Sequence, residues 1–167
     1  FQAAQEKGIN VVGTGDFTHP EWFKELKNKL EPAEEGLYRL KFQAPNSNDQ
    51  IRFVITGEIS NMYTRNGRGR RVHNLIILSS LETAEKISNI LSWQGNIKSD
   101  GRPILGMDSE ELLKIVMEAD PQALFVPAHC LLPGTFLHGD VGIREIQDIS
   151  IGDKVYINRL ELAFQRV

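Results

Sequence analysis

Val126-Pro127-Ala128-His129-Cys130-Leu131-Leu132-Pro133-Gly134-Thr135 divides the chain into two textures. To its left, apolar runs alternate with amphipathic helix patterns, and histidines and acids follow the runs. To its right, glycines and short apolar pairs recur without helical periodicity, beginning at the only cysteine of the chain. The pattern predicts an α/β part over residues 1–129 and a short β-rich part over 130–167, with a boundary at 129/130.

A length of 167 residues suffices for one good core, or for one domain and part of a second. Hydrophobic residues make up 41% and charged residues 25%, ordinary values for a soluble globular chain. The net charge of −3 excludes a uniformly basic nucleic-acid binder but leaves room for a local basic patch. A lone cysteine makes no internal disulfide, so a reducing, cytoplasmic setting is expected. No apolar run approaches the roughly 18 residues of a membrane span, and no membrane partner is expected. Phe1 to Gly8 reads as a helix tail closed by glycine, and Leu160 to Val167 as a strand pattern that stops midway. The chain is therefore expected to be a piece of a longer protein.

Ile9 to Val12 has the pattern of a buried parallel strand, followed by Gly13-Thr14-Gly15-Asp16-Phe17-Thr18-His19 and a helix opened by Pro20. Strand, polar loop and helix make a βα unit, whose site lies at strand C-termini. Asp16 and His19 fall there. Leu37–Phe42 and Ile51–Ile55 read as strands around the turn-rich Pro45 to Asp49, and the second places Glu58 at another strand end. Arg65-Asn66-Gly67-Arg68-Gly69-Arg70-Arg71 reads as a glycine-rich basic loop, with His73 entering the strand Leu75–Leu78. Helices are expected from Leu81 to near Gly95 and from Asp108, in capping-box spacing with Glu111, to Asp120. Ala123 to Val126 is the next strand, and its end delivers His129.

Asp16, His19, Glu58, His73 and His129 thus recur at one topological position. Imidazole and carboxylate together suit zinc, manganese or iron, and two such ions can activate water and clamp a phosphate. The plain alternative for each histidine is a hydrogen-bonded strand-end residue.

Gly13-Thr14-Gly15-Asp16-Phe17-Thr18-His19-Pro20-Glu21-Trp22-Phe23, Glu58-Ile59-Ser60, Arg71-Val72-His73-Asn74-Leu75, Ser99 to Gly106 and Pro127-Ala128-His129 resemble the polymerase and histidinol phosphatase (PHP) superfamily, and within it the endonuclease Q family of DNA-repair nucleases. The resemblance implies a distorted (β/α)7 barrel, of which residues 1–129 are a part, and a centre of divalent ions (zinc, manganese or magnesium). Cleavage of damaged DNA 5′ of deaminated or abasic nucleotides is the implied reaction. It also implies that Glu58, His73 and His129 are metal ligands together with Asp16 or His19, either of which fits. The family's first His-x-His motif is absent, so the chain alone is expected to bind metal weakly and to cut no DNA.

Arg65, Arg68, Arg70 and Arg71, with Lys98 and Arg102, are candidate contacts to DNA phosphates, against the plain reading of a solvated hairpin tip. Damaged DNA is the expected partner. The resemblance leaves room for a replication or repair partner, and the oligomeric state is open.

Cys130-Leu131-Leu132-Pro133-Gly134-Thr135, followed by Ile151-Gly152-Asp153-Lys154-Val155, resembles the N-terminal splicing motif of inteins (Hint domains). Such a resemblance implies that Cys130 attacks the carbonyl of His129 to form a thioester, a task suited to a thiolate. The plain alternative is a small buried hydrophobe. No Thr-x-x-His block or terminal His-Asn follows, so no splicing by this chain alone is expected, and His138 reads as a loop residue. Two other readings stay open: a PHP-type phosphoesterase acting on small phosphomonoesters, and a self-splicing element as the main function.

Overall fold

The computed structural model describes residues 2–41, 51–98, 101–128, 136–139, 142–145, 148, 154–157 and 160–163. The chain divides into two compact units, Phe1–Ala128 and His129–Val167. In order, the first unit contains α1 (Gln2–Glu6), β1 (Val11–Gly13), α2 (Pro20–Lys29), β2 (Leu30–Pro32), β3 (Tyr38–Leu40), β4 (Arg52–Arg65), β5 (Arg68–Leu78), α3 (Leu81–Leu91), β6 (Ile104–Leu105), α4 (Ser109–Ala119) and β7 (Leu124–Ala128).

Its sheet is mixed. The path runs β2-β3-β4-β5-β7 with antiparallel neighbours throughout, while β1 and β6 pair with β4 in parallel. This corrects the expectation of an essentially parallel sheet. The reason lies at Asn66-Gly67, where both residues are left-handed (φ 54° and 70°) and close a two-residue hairpin. Pairing then continues from Arg65↔Arg68 to Ile55↔Leu78. The supposed basic loop is the tip of this hairpin, with Arg65 on one strand and Arg68, Arg70 and Arg71 on the other.

Strand periodicity sorts the sheet into two faces. Ile55, Ile59, Ile76, Leu78 and Leu105 lie on the buried face and pack with Ala84, Ile87 and Leu91 of α3 and Leu112 and Val116 of α4. Ser80 caps α3 through Thr83 N–H, and Asp108 caps α4 through Glu110 N–H, so both helices begin where their sequence cues place them. Gly57 belongs to the same face. A Cβ there would lie 2.6 Å from the ring of fully buried Phe17, so glycine lets the loop after β1 seat against β4. Asn61 and Asn74, both fully buried, carry a polar ladder through this core. Asn74 Nδ2 donates to Asn61 Oδ1 (2.8 Å) and Ser109 Oγ (3.1 Å), and Asn61 Nδ2 donates to the Met107 carbonyl (3.1 Å).

The opposite face holds Glu58, Ser60, Met62, Arg71, His73 and Leu75 by the same alternation. Val11, Met62, Ile104, Leu124 and Val126 share it and are exposed. Strand β1 is parallel as expected but not buried, because the described residues leave this face uncovered.

The second unit contains β8 (Phe136–Gly139), β9 (Gly142–Glu145), β10 (Lys154–Ile157) and β11 (Leu160–Ala163), an antiparallel sheet in the order β11-β10-β8-β9. His138 lies on β8, not in a loop.

Candidate functional site

Two loops meet β4 on either side of Glu58. From one direction, Phe17 N–H donates to the Thr56 carbonyl at 3.4 Å; from the other, Ser60 N–H donates to the Pro103 carbonyl at 2.9 Å. The first loop is tied down by two threonines. Thr56 N–H donates to Thr14 Oγ1 (3.1 Å), and Gly15 N–H donates to Thr56 Oγ1 (2.9 Å). Trp22 Nε1 then donates to the carbonyls of Thr14 and Gly15, each at 3.1 Å.

Held this way, Asp16 takes a left-handed conformation (φ 40°), which is uncommon outside glycine and costs on the order of 1 kcal/mol. Its carbonyl accepts from His19 N–H at 2.9 Å, closing a turn, and His19 Nδ1 caps α2 by accepting from Trp22 N–H at 3.4 Å. Asp16 and His19 line an open cleft of about 700 Å³ with Thr14, Glu21, Lys24 and Gly101. They stand at the C-terminal end of β1, where sequence reasoning put them.

Glu58 and His73 do not stand at strand ends. Both lie within the long hairpin strands, and they meet because their strands pair: Glu58 opposes Leu75, and His73 opposes Ser60. Their side chains converge, with His73 Nδ1 3.3 Å from Glu58 Oε1. Arg102 joins them. Its Nη1 donates to Glu58 Oε1 and lies 3.0 Å from His73 Nδ1. Placed among the candidate DNA contacts from its sequence, Arg102 is thus paired with two candidate metal ligands. No local sequence cue announces this, because the three residues come from three segments. Gly101, the neighbour of Arg102, lines the Asp16–His19 cleft and links the two halves of the site.

The basic set also divides. Arg65 pairs with Glu110 (3.4 Å) and Asp108 (3.9 Å), while Arg68, Arg70 and Arg71 are exposed at the hairpin tip. Lys114 first, then Arg65, holds the Glu110 carboxyl below its ordinary value. Lys98 is elsewhere, beside Lys24 and Lys27 at a cavity between α2 and α3. His129 and Cys130 lie outside the described residues, although Ala128 pairs with His73.

Donor chemistry at Glu58 and His73 suits a divalent ion, yet among the described residues no three His, Cys, Asp or Glu side chains gather as a metal group. Glu58 and His73 are two such donors, and a guanidinium lies on both. Among the same residues no helix is long and apolar enough to cross a membrane.

No protein-family model matches the chain. An uncharacterized protein of Methanocaldococcus jannaschii is 35% identical over 150 residues, which cover 89% of this chain and 16% of that protein. A structure of Endonuclease Q in complex with a 27-mer duplex substrate, with an abasic lesion at the active site, aligns with a TM-score of 0.62 and 30% identity. It covers 78% of this chain, and the chain covers 29% of it. The lesion-specific endonuclease Q of Pyrococcus furiosus aligns with a TM-score of 0.58 and 29% identity over 77% of this chain and 28% of that one. The chain is similar to Endonuclease Q in sequence and structure, and it spans less than a third of those proteins' length.

Proposed function

We propose that residues 1–129 are part of a metal-dependent, lesion-specific DNA endonuclease of the Endonuclease Q kind, and that residues 130–167 begin an intein inserted into it. The similarity to a nuclease solved on abasic duplex DNA, at 30% identity, carries the first half of this reading. Glu58, His73 and His129, with Asp16 or His19, would hold the ions, which supply Lewis acidity and an activated water when bound. The chain's own residues hold the loops at fixed places around Glu58 through the Thr14–Thr56 and Ser60–Pro103 hydrogen bonds. Arg71 lies on the same sheet face as Glu58 and His73, so phosphate contacts at the hairpin tip would lead a DNA strand toward them. The exposed apolar residues of that face support a larger protein that covers it.

For the second half, the lengths of the matches add to the motif at Cys130. The M. jannaschii match of 150 residues is longer than the nuclease-like part and so runs into the segment after it. The Endonuclease Q alignments cover 78% and 77% of the chain, shares close to that of the first unit. Alignments of that extent leave about a fifth of the chain unmatched, as an insertion after residue 129 would. Cys130 would attack the His129 carbonyl, and the host's activity would follow excision.

The complete gene product tests both halves. Cleavage of abasic or deaminated duplexes, with no turnover of small phosphomonoesters, is the expected result; the reverse preference would replace the nuclease reading by the phosphoesterase one. Cys130→Ala should leave the precursor at full mass and inactive. An active Cys130→Ala protein of unspliced mass would end the intein reading.

A further inference from the structure

We infer that Arg102 is a built-in counter-cation of the Glu58–His73 pair, and that its docking there and the binding of a divalent ion by the same two side chains exclude each other. The inference rests on the reading of Glu58 and His73 as metal ligands and adds a device that controls them.

Lone pairs set the competition at this pair. Glu58 Oε1 and His73 Nδ1 are 3.3 Å apart, and both face Arg102 Nη1. One terminal guanidinium nitrogen carries two hydrogens, enough to donate to both atoms at once. In the tautomer with its proton on Nε2, His73 accepts from the guanidinium through Nδ1. With Nδ1 bare, carboxylate and imidazole point two lone pairs at one positive group. A divalent ion asks the same of the same atoms. Both cations cannot be served together, because a guanidinium against a dication would add like-charge repulsion to the loss of the donors.

The segment bearing Arg102 is built to deliver it. Ile104 and Leu105 pair with Ser60 and Asn61 of β4, Leu105 is fully buried, and Ser60 N–H holds the Pro103 carbonyl. Arg102, two residues before Ile104, thereby reaches Glu58 with its side chain. Arg102, Glu58 and His73 are 39%, 29% and 25% exposed, so the pair is partly desolvated yet within reach of an ion from solvent. In a chain with an incomplete ligand set, the guanidinium keeps the carboxylate neutralised. A divalent ion bound by the pair displaces Arg102, which can then meet a phosphate beside it, and the remaining ligands would strengthen that exchange.

Mn2+ and Zn2+ alone are the probes, with the 167-residue chain and its variants titrated by calorimetry and by the electron paramagnetic resonance of free Mn2+. Arg102→Gln should bind about two- to fivefold more tightly than the unchanged chain, the worth of a partly exposed ion pair. Arg102→Lys should stay near the unchanged chain, and Glu58→Gln should remove the gain in the double variant. Equal, Glu58-dependent affinity with and without the guanidinium would overturn the exclusion while leaving the metal reading intact. Absence of Glu58-dependent binding in every variant would overturn both. A further measurement needs no variant: saturating Zn2+ should move the Arg102 side-chain NMR signals of the unchanged chain to those of a solvated arginine. Signals that stay in place at saturation would overturn the inference.

Discussion

Thr56 and Thr14 interlock across the β1–β4 pair: the main-chain N–H of Thr56 donates to Thr14 Oγ1 at 3.1 Å, while Thr56 Oγ1 accepts from Gly15 N–H at 2.9 Å. Neither bond belongs to the sheet ladder. Together they fix the loop in which Asp16 holds its left-handed turn.

Replacing Thr56 by Val keeps its shape and removes the acceptor for Gly15 N–H. The first unit should lose about 1–2 kcal/mol, read from chemical denaturation, because a partly buried donor is left unmet. Unchanged stability would show that water replaces the hydroxyl at no cost.

Gly57→Ala places a methyl group 2.6 Å from the Phe17 ring, closer than real contacts allow. Phe17 is fully buried, so the ring has nowhere to retreat without shifting the loop. A loss of about 1–3 kcal/mol is expected. Phe17→Leu in the same chain should recover part of it, and a double variant no better than Gly57→Ala would argue against this contact.

Asp120 ends α4 and is 2% exposed. Burial pushes its carboxyl up, but Ser79 N–H and Oγ–H (both 2.8 Å), Thr83 Oγ1–H (3.1 Å) and Gln122 N–H (3.1 Å) together hold it below the ordinary value. A carboxylate with a lowered folded-state pKa adds stability that is fully present above its unfolded value of about 3.9. That stability is lost as pH falls through the folded value. Asp120→Asn should therefore be less stable than the unchanged chain at pH 7, and the gap should narrow below about pH 4. A gap independent of pH would rule out the ionised carboxylate as its source.

Arg68 and Arg70 share one face of the exposed hairpin tip. In the complete protein, replacing both by Ala should weaken damaged and undamaged duplexes alike. The slope of log K against log salt should fall by about 0.9 for each phosphate that is no longer neutralised. Weakening confined to damaged DNA would mean that these residues read the lesion.

Periodicity and capping make much of this chain legible. Pro20, Asp108 and Asp120 are local cues, and the helices begin at Pro20, Leu81 and Ser109 as expected, although α3 ends at Leu91 and not near Gly95. The hairpin was legible too, since Asn66-Gly67 is a strong two-residue turn signal, but arginines on both sides disguise it as a loop. Reading Ile51–Ile55 and Leu75–Leu78 as short buried strands followed from that disguise. Glu58 and His73 then lost their place as strand ends and became mid-strand neighbours.

By itself, the sequence determined where the helices begin, the change of texture near residue 129 and the residue types capable of holding a metal. Those properties are local, set by spacing, caps and side-chain chemistry over a few residues. Tertiary structure alone decided that Glu58 meets His73 and that Arg102 lies on both. Each of these joins separate segments, with Glu58 and Arg102 44 positions apart, and spacing within any one segment carries no record of such a meeting. Only strand register, chosen where Ile55, Ile59, Ile76 and Leu78 can all be buried on one face, brings the polar groups of the other face together.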